Sequence, residues 1–302
     1  LGLALVRWFD PWAGQESPQE RDDQRIDWPR VLPFVALHLA CLGVLWVGWS
    51  PVALGLAAAL YLVRMFAITA FYHRYFSHRA FKTSRVAQFL FAVLGNMAVH
   101  RGPLWWAAHH RKHHRHSDQP PDVHSPRVHG FWWSHMGWIV CDIARDRREM
   151  ERRYAPELVA DPVHRVLNRI HVLPNILVGL ALYAWGGWTF VIWGVFVRLV
   201  ITLHGTWLVN SATHTWGYRV WNTNEDSRNL WWVGLLAWGE GWHNTHHAFQ
   251  RSARHGFGWE LDATWLVIRT LSIVGLVKDI HLLPKNAERF RIQPEQSEAV
   301  AA

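Results

Sequence analysis

Two long stretches of this chain are almost free of charge. Residues 31–70 hold one charged side chain, Arg64, and residues 171–208 hold one, Arg198. Each stretch is about 40 residues, which at about 1.5 Å per helical residue makes two crossings of a hydrocarbon layer roughly 30 Å thick. The first is interrupted at Gly48-Trp49-Ser50-Pro51 and the second at Trp185-Gly186-Gly187-Trp188. Proline cannot donate a helix hydrogen bond and glycine tolerates a reversal, so both sites read as hairpin turns. The expected fold is an all-α integral membrane protein with four transmembrane helices in two hairpins, at 31–70 and 171–208.

The remaining charge sets the orientation. Neither hairpin turn carries a charge, whereas the loop from 71 to 170 is rich in Lys and Arg, and this bias predicts that the loop and both termini face the cytosol. Residues 71–170 and 209–290 then form a helical cytosolic cap, and 31–302 is one domain. Residues 1–30 are polar, with Pro11, Pro18 and Pro29, and read as a cytosolic N-terminal segment rather than a signal peptide. Two shorter apolar stretches, Val86 to Val99 and Leu230 to Trp238, are too short to span and are expected at the interface. The formal net charge of +8 fits a cytosolic face beside lipid better than a nucleic-acid surface, so no nucleic acid is expected as a partner.

With 21 His and only two Cys, any metal site must use nitrogen or oxygen ligands, and a disulfide framework is excluded. His73 and His78 lie at the cytosolic end of the second predicted span, five residues apart, a spacing that does not share one face of an ideal helix. A local break is required to bring them together. His110, His113 and His114 have i, i+3, i+4 spacing, which places three imidazoles along one helical side; His243, His246 and His247 repeat it. His214 emerges one turn beyond the fourth span. Nine imidazoles on one membrane face exceed what one tetrahedral ion uses and imply two metals. Zinc would make this a structural site without catalysis; two redox-active irons would suit oxygen activation.

The chain resembles a membrane-bound fatty-acyl desaturase of the stearoyl-CoA (delta-9) type. The resemblance covers roughly residues 60 to 260, through HRYFSH (His73 to His78), HRKHH (His110 to His114), GFWWSHMGW (Gly130 to Trp138), NSATH (Asn210 to His214) and EGWHNTHH (Glu240 to His247). It implies a di-iron centre, with His73, His78, His110, His114 and His247 on one iron, and His113, His214, His243 and His246 on the other. Asn210 would reach the second iron through water, and no catalytic residue beyond the metal ligands is implied. It further implies insertion of a cis double bond, at the delta-9 position, into a long saturated acyl chain, with O2 as co-substrate. An external electron donor, ferredoxin or a cytochrome b-type protein with an NAD(P)H reductase, is expected, because the chain has no GxGxxG fingerprint of its own.

The resemblance also implies a bent acyl tunnel shaped by Trp106, Thr206 and Trp207, with Tyr61 and Met65 near its closed end. Animal acyl-CoA enzymes carry a charged pair before the second box; here it is Ala108-His109. The phrases from Gly102 to Trp106, His116 to Pro121 and Ser252 to Gly256 look closest to bacterial and cyanobacterial delta-9 desaturases, which places the chain in a bacterial cytoplasmic membrane and leaves acyl-CoA and acyl-lipid both open as substrates. Arg101, Arg111 and Lys112 are candidates for phosphate contacts. His109, His116, His135, Asp118 and Glu240 are candidates for orienting the ligands. A fatty-acyl or alkane hydroxylase using the same boxes is the alternative function. A bis-His haem carrier through His38 and His204 is a weaker one.

Overall fold

The computed structural model describes residues 26–141 and 147–292. Residues 1–25 of the expected N-terminal segment lie outside the described residues. The first helix, α1 (Trp28–Ala40), passes through a tight turn (Cys41–Gly43) into a last helical turn (Val44–Val47). Gly48 ends it with φ 64°, a left-handed conformation that costs glycine nothing. The Ser50 hydroxyl then accepts the Ala53 N–H at 3.0 Å, and Pro51 takes the first helical position, where its missing N–H is harmless. These residues start α2 (Pro51–Phe66), which widens into a π-helix (Ala67–Ser77) without stopping.

After a short strand, β1 (Lys82–Thr83), come α3 (Arg85–Asn96), capped by the Ser84 hydroxyl, and α4 (Pro103–His116). The amphipathic α5 (Pro162–Arg169) is capped by Asp161. It leads into α6 (Leu173–Val191), a π-helical turn (Ile192–Val197) and α7 (Arg198–Ser211). Helical φ and ψ are lost at Gly186 and Gly187, the predicted reversal. Beyond it the chain returns along itself: a Cβ on Gly194 would stand 2.8 Å from Leu182 Cδ1. Leu182, Val191 and Val195 form a small core with Leu56 and Leu60 of α2.

Two helical stretches, Pro51–Ser77 and Leu173–Ser211, are long and apolar enough to cross a membrane, and Val31–Val47 is a shorter apolar helix. Their outer surface is hydrophobic: Leu45, Trp46, Trp49, Leu180 and Trp185 are each more than 60% exposed. A patch of that size is unfavourable in water and favourable in lipid. The largest core joins the π-helical end of α2 to α3, α4 and α9 (Ala263–Ile273), with Phe71 stacked on Phe91 at 3.8 Å.

The cap is less helical than expected. Between α7 and α8 (His243–Ala248) the chain is mostly turns, held by the bridges Tyr218↔Asn229 and Asn229↔Trp242 and one short helix, Trp231–Leu236. A second strand, β2 (Val277–Lys278), pairs antiparallel with β1. The turn region depends on close backbone approach: a Cβ on Gly241 would stand 2.1 Å from the Gly234 nitrogen. Backbone cannot yield as a side chain can. Gly241→Ala should therefore destabilise the protein by about 1–3 kcal/mol, the usual cost of overpacking, read as a lowered Tm.

Candidate metal centre

The π-helix resolves the five-residue spacing of the first motif. The His78 N–H donates to the His73 carbonyl at 3.2 Å, an i to i+5 bond, so the widened turn brings residues five apart onto the same side. α4 supplies His110, His113 and His114, the end of α7 leads to His214, and α8 supplies His243, His246 and His247. The nine imidazoles meet as two adjacent groups. His73, His78, His110, His114 and His246 form one, and His113, His214, His243 and His247 form the other.

This grouping exchanges His246 and His247 relative to the expectation. His246 Nε2 lies 2.9 Å from His73 Nε2 and 2.8 Å from His114 Nε2, while His247 Nε2 lies 3.0 Å from His243 Nε2 and 3.4 Å from His113 Nε2. The reason is helical geometry. At about 100° per residue, i+4 falls about 40° from i and i+3 about 60° to the other side. In α8 the i, i+4 pair His243 and His247 stays together and His246 turns to the other group. In α4 the pair His110 and His114 stays together, Nε2 atoms 3.0 Å apart, and His113 crosses.

The donor chemistry fits cations in both groups. His113 Nδ1 donates to Asp122 at 2.9 Å and His214 Nδ1 to Asp118 at 2.8 Å. With the N–H on Nδ1, each ring would offer its Nε2 lone pair to a metal. His214 Nε2 has no hydrogen-bond partner among the described residues. His247 Nδ1 faces Glu225 at 3.3 Å, so the 3.4 Å approach of His113 and His247 Nε2 sets two acceptors against each other. A shared cation relieves that repulsion, and metal–nitrogen distances of about 2.0–2.1 Å give edges near 3 Å between ligand atoms. In the first group Glu240 Oε2 stands 2.5 Å from His73 Nδ1.

Burial, followed by repulsion from neighbouring imidazoles, holds His78, His110, His114, His243, His246 and His247 well below the ordinary histidine range. They are neutral ligands at neutral pH. His214 is the exception: burial opposes its proton, but Asp118 outweighs burial and raises it, and the same negative charge favours a metal at Nε2. The six lowered rings outnumber the one raised ring. Chelator-stripped protein should therefore be most stable above about pH 6.5 and lose stability as pH falls below it, where the unfolded chain takes protons that the buried rings refuse. Unfolding midpoints at pH 7.5 and pH 5 measure this.

Of the expected orienting residues, Asp118 and Glu240 touch ligands, but three do not. His109 Nδ1 bonds the Trp105 carbonyl at 2.9 Å, with its ring against Trp105. His116 faces the Tyr154 hydroxyl, and His135 bonds Ser211 and His204. His38 and His204 meet directly, Nε2 atoms 3.0 Å apart, so no haem iron fits between them. Four of the five Arg111 N–H groups are taken by Ser77, Phe76, Tyr154 and Glu157, which draws it away from a phosphate. Asp122 and Glu225 were not anticipated. Asp122 follows Asp118 by four residues, a usable signal, whereas Glu225 carries none.

A cavity opens onto both imidazole groups. His73, His110 and His243 line it together with Trp106, Thr206, Trp207 and Asn210, and Val99, Ile139 and Leu203 supply carbon surface. Trp106 stacks on His110 at 4.9 Å, and the Thr206 hydroxyl meets His100 Nε2 at 2.7 Å. Arg101 also lines it. Tyr61 and Met65 do not. Tyr61 turns its hydroxyl to the Leu236 carbonyl, and Met65 is buried in a core cluster with Val209 and Ala237, which do line the cavity.

The chain matches the fatty acid desaturase family over residues 47–257. It is 44% identical over 263 residues to an sn-1 stearoyl-lipid 9-desaturase of Synechocystis sp., covering 86% of this chain and 82% of the relative. It is 42% identical over 264 residues to the sn-1 stearoyl-lipid 9-desaturase of Anabaena variabilis, covering 86% and 96%. A chloroplastic palmitoyl-monogalactosyldiacylglycerol delta-7 desaturase of Arabidopsis thaliana is 41% identical over 276 residues, covering 90% and 73%.

Proposed function

This chain belongs to the fatty acid desaturase family and is an oxidoreductase, and from that premise we propose that it inserts a cis double bond at carbon nine of a saturated acyl chain esterified to a membrane glycerolipid. The observation that carries the reading is the cavity that reaches both imidazole groups between Trp106, Thr206 and Trp207. Two irons are the proposed occupants of the groups, with Asn210 contributing through water. When bound they supply the oxidising power, drawn from O2 and two electrons, that an unactivated C–H bond demands. The protein's own contribution is positional. Asp118, Asp122, Glu225 and Glu240 hold the rings, the buried imidazoles stay neutral, and the tryptophan walls keep water from the reacting carbons.

Two features favour acyl-lipid over acyl-CoA. The relatives named above are lipid desaturases, and the two positions that are charged in animal acyl-CoA enzymes are here withdrawn from solvent, Ala108 at 0% and His109 at 8% exposure. The hydroxylase reading is set aside because these relatives are desaturases. The two hairpins cross a bacterial cytoplasmic membrane four times, with cap and termini on the cytosolic side and residues 31–302 acting as one unit. Electrons come from a separate ferredoxin or cytochrome b-type donor with its reductase, and the basic surface favours an acidic one.

Expression in a host without its own desaturase, fed stearate, tests this. The expected product is a cis-9 monoene found first in intact glycerolipid rather than in the acyl-CoA pool. A hydroxylated chain would overturn the reaction, and a monoene appearing first on CoA would overturn the carrier.

A further inference from the structure

Arg64 and Arg198, the two charges that interrupt the apolar blocks, are both buried, at 4% and 1% exposure. Among the described residues no carboxylate pairs with either. Arg198 donates only to neutral acceptors: Nε to the Gly194 carbonyl at 3.0 Å, Nη1 to the Met97 carbonyl at 3.1 Å and Nη2 to Asn175 Oδ1 at 3.0 Å. Arg64 reaches the Met97 sulfur, 3.0 Å from Nη2, and its Nε has no partner among the described residues. Met97 thus stands between two guanidinium groups that repel each other. Buried like charges without a counter-charge are costly, and in a membrane-spanning segment they mark a site.

Met97 is also a wall of a groove between α3, α5 and the start of α6. Its lining side chains, among them Phe89, Val166, Leu177 and Ala181, carry no polar group. Pro174, beside the Asn175 that holds Arg198, also lines it, and Leu177 and Ala181 follow along α6. Cations therefore lie behind the end of the groove at the start of α6, and carbon surface runs from there along a helix suited to lipid. The groove shares no lining residue with the imidazole cavity.

We propose that this groove binds one anionic membrane lipid, its acyl chain lying along α6 and its phosphate-type head on Arg64 past a rotated Met97 side chain, with Arg198, held by the Met97 carbonyl, adding positive charge behind it. Methionine, unbranched with three rotatable bonds, yields readily. Arg64 Nε and Nη2 present the fork that takes two anionic oxygens at once.

The test uses the full chain purified in detergent, with phosphatidylglycerol, phosphatidylcholine or inorganic phosphate added, read by native mass spectrometry and thermal unfolding. Phosphatidylglycerol should bind and raise Tm, phosphatidylcholine should bind about tenfold more weakly or worse, and phosphate alone should do neither. Arg64→Gln should abolish the preference for phosphatidylglycerol. Because that variant alters a buried site, Leu177→Trp provides a second reading. Leu177 is 56% exposed on the groove wall, so the indole should fill the groove and weaken lipid binding without lowering the lipid-free Tm. Equal binding of the two lipids, or phosphatidylglycerol binding indifferent to Leu177→Trp, would overturn the proposal. Stabilisation by inorganic phosphate equal to that by phosphatidylglycerol would overturn a lipid as the occupant.

Discussion

His246→Ala and His247→Ala should each leave the protein in the membrane, reduce its bound iron from about two to about one, and abolish desaturation. Removing a residue that only orients a ligand costs about 10–100-fold, so losing a ligand itself should cost at least about 100-fold. The two variants should empty different sites. His247 shares its group with His243, Nε2 atoms 3.0 Å apart, and His246 shares its own with His114, at 2.8 Å. Adding His243→Ala to His247→Ala should therefore remove no further metal, whereas adding it to His246→Ala should remove nearly all. Metal analysis of the purified double variants decides between this grouping and the exchanged one. If the His243/His247 pair empties both sites while His243/His246 retains one, the grouping is wrong.

That distinction marks where the sequence stopped being legible. The spacing of the two triplets fixes that three imidazoles project from one side of a helix, and the count of nine points to two metals. Which ring serves which metal depends on where the neighbouring helices stand, and the i+4 pair keeps together in both α4 and α8 only because the opposing group approaches from the i+3 side. The His73 and His78 pair was legible as an anomaly, a spacing that demands a break. The π-helix that supplies it has no simple signature. Both helix breaks were readable because Gly48, Pro51, Gly186 and Gly187 have backbone properties that do not depend on context. The positions of Tyr61 and Met65 were not, because a side chain in the core beside a cavity and one lining it share a helix face. Glu225 reaches His247 from a turn region without periodicity, so nothing local announces it.

Glu240→Gln should lower metal retention and activity by about 10–100-fold, with a measurable loss of stability. Glu240 is 4% exposed, and burial alone would raise its proton affinity, yet His73 and Arg74 hold the carboxyl well below the usual range. Its two oxygens do different things. Oε2 lies 2.5 Å from His73 Nδ1 and 3.4 Å from His255 Nδ1, so its negative charge favours a proton on His73 Nδ1 and a lone pair on Nε2 toward the first group. Oε1 accepts from Arg74 Nε and Nη2 at 3.2 and 3.0 Å, and Arg74 also donates to both oxygens of Asp262, at 3.0 Å each, and to the Ala253 carbonyl at 2.7 Å. Glutamine keeps the shape and removes the charge, so it weakens the hold on His73 and leaves Arg74 with one anion instead of two. Asp262→Asn separates these roles, because Asp262 touches Arg74 but not His73. It should lower Tm, since breaking a buried pair costs about 3–5 kcal/mol at the upper end. Folded Asp262→Asn protein should still retain about two irons, while folded Glu240→Gln protein loses metal from the first group on dialysis. Equal metal loss in the two variants would mean that the arginine network, rather than the carboxylate on His73, holds the site together.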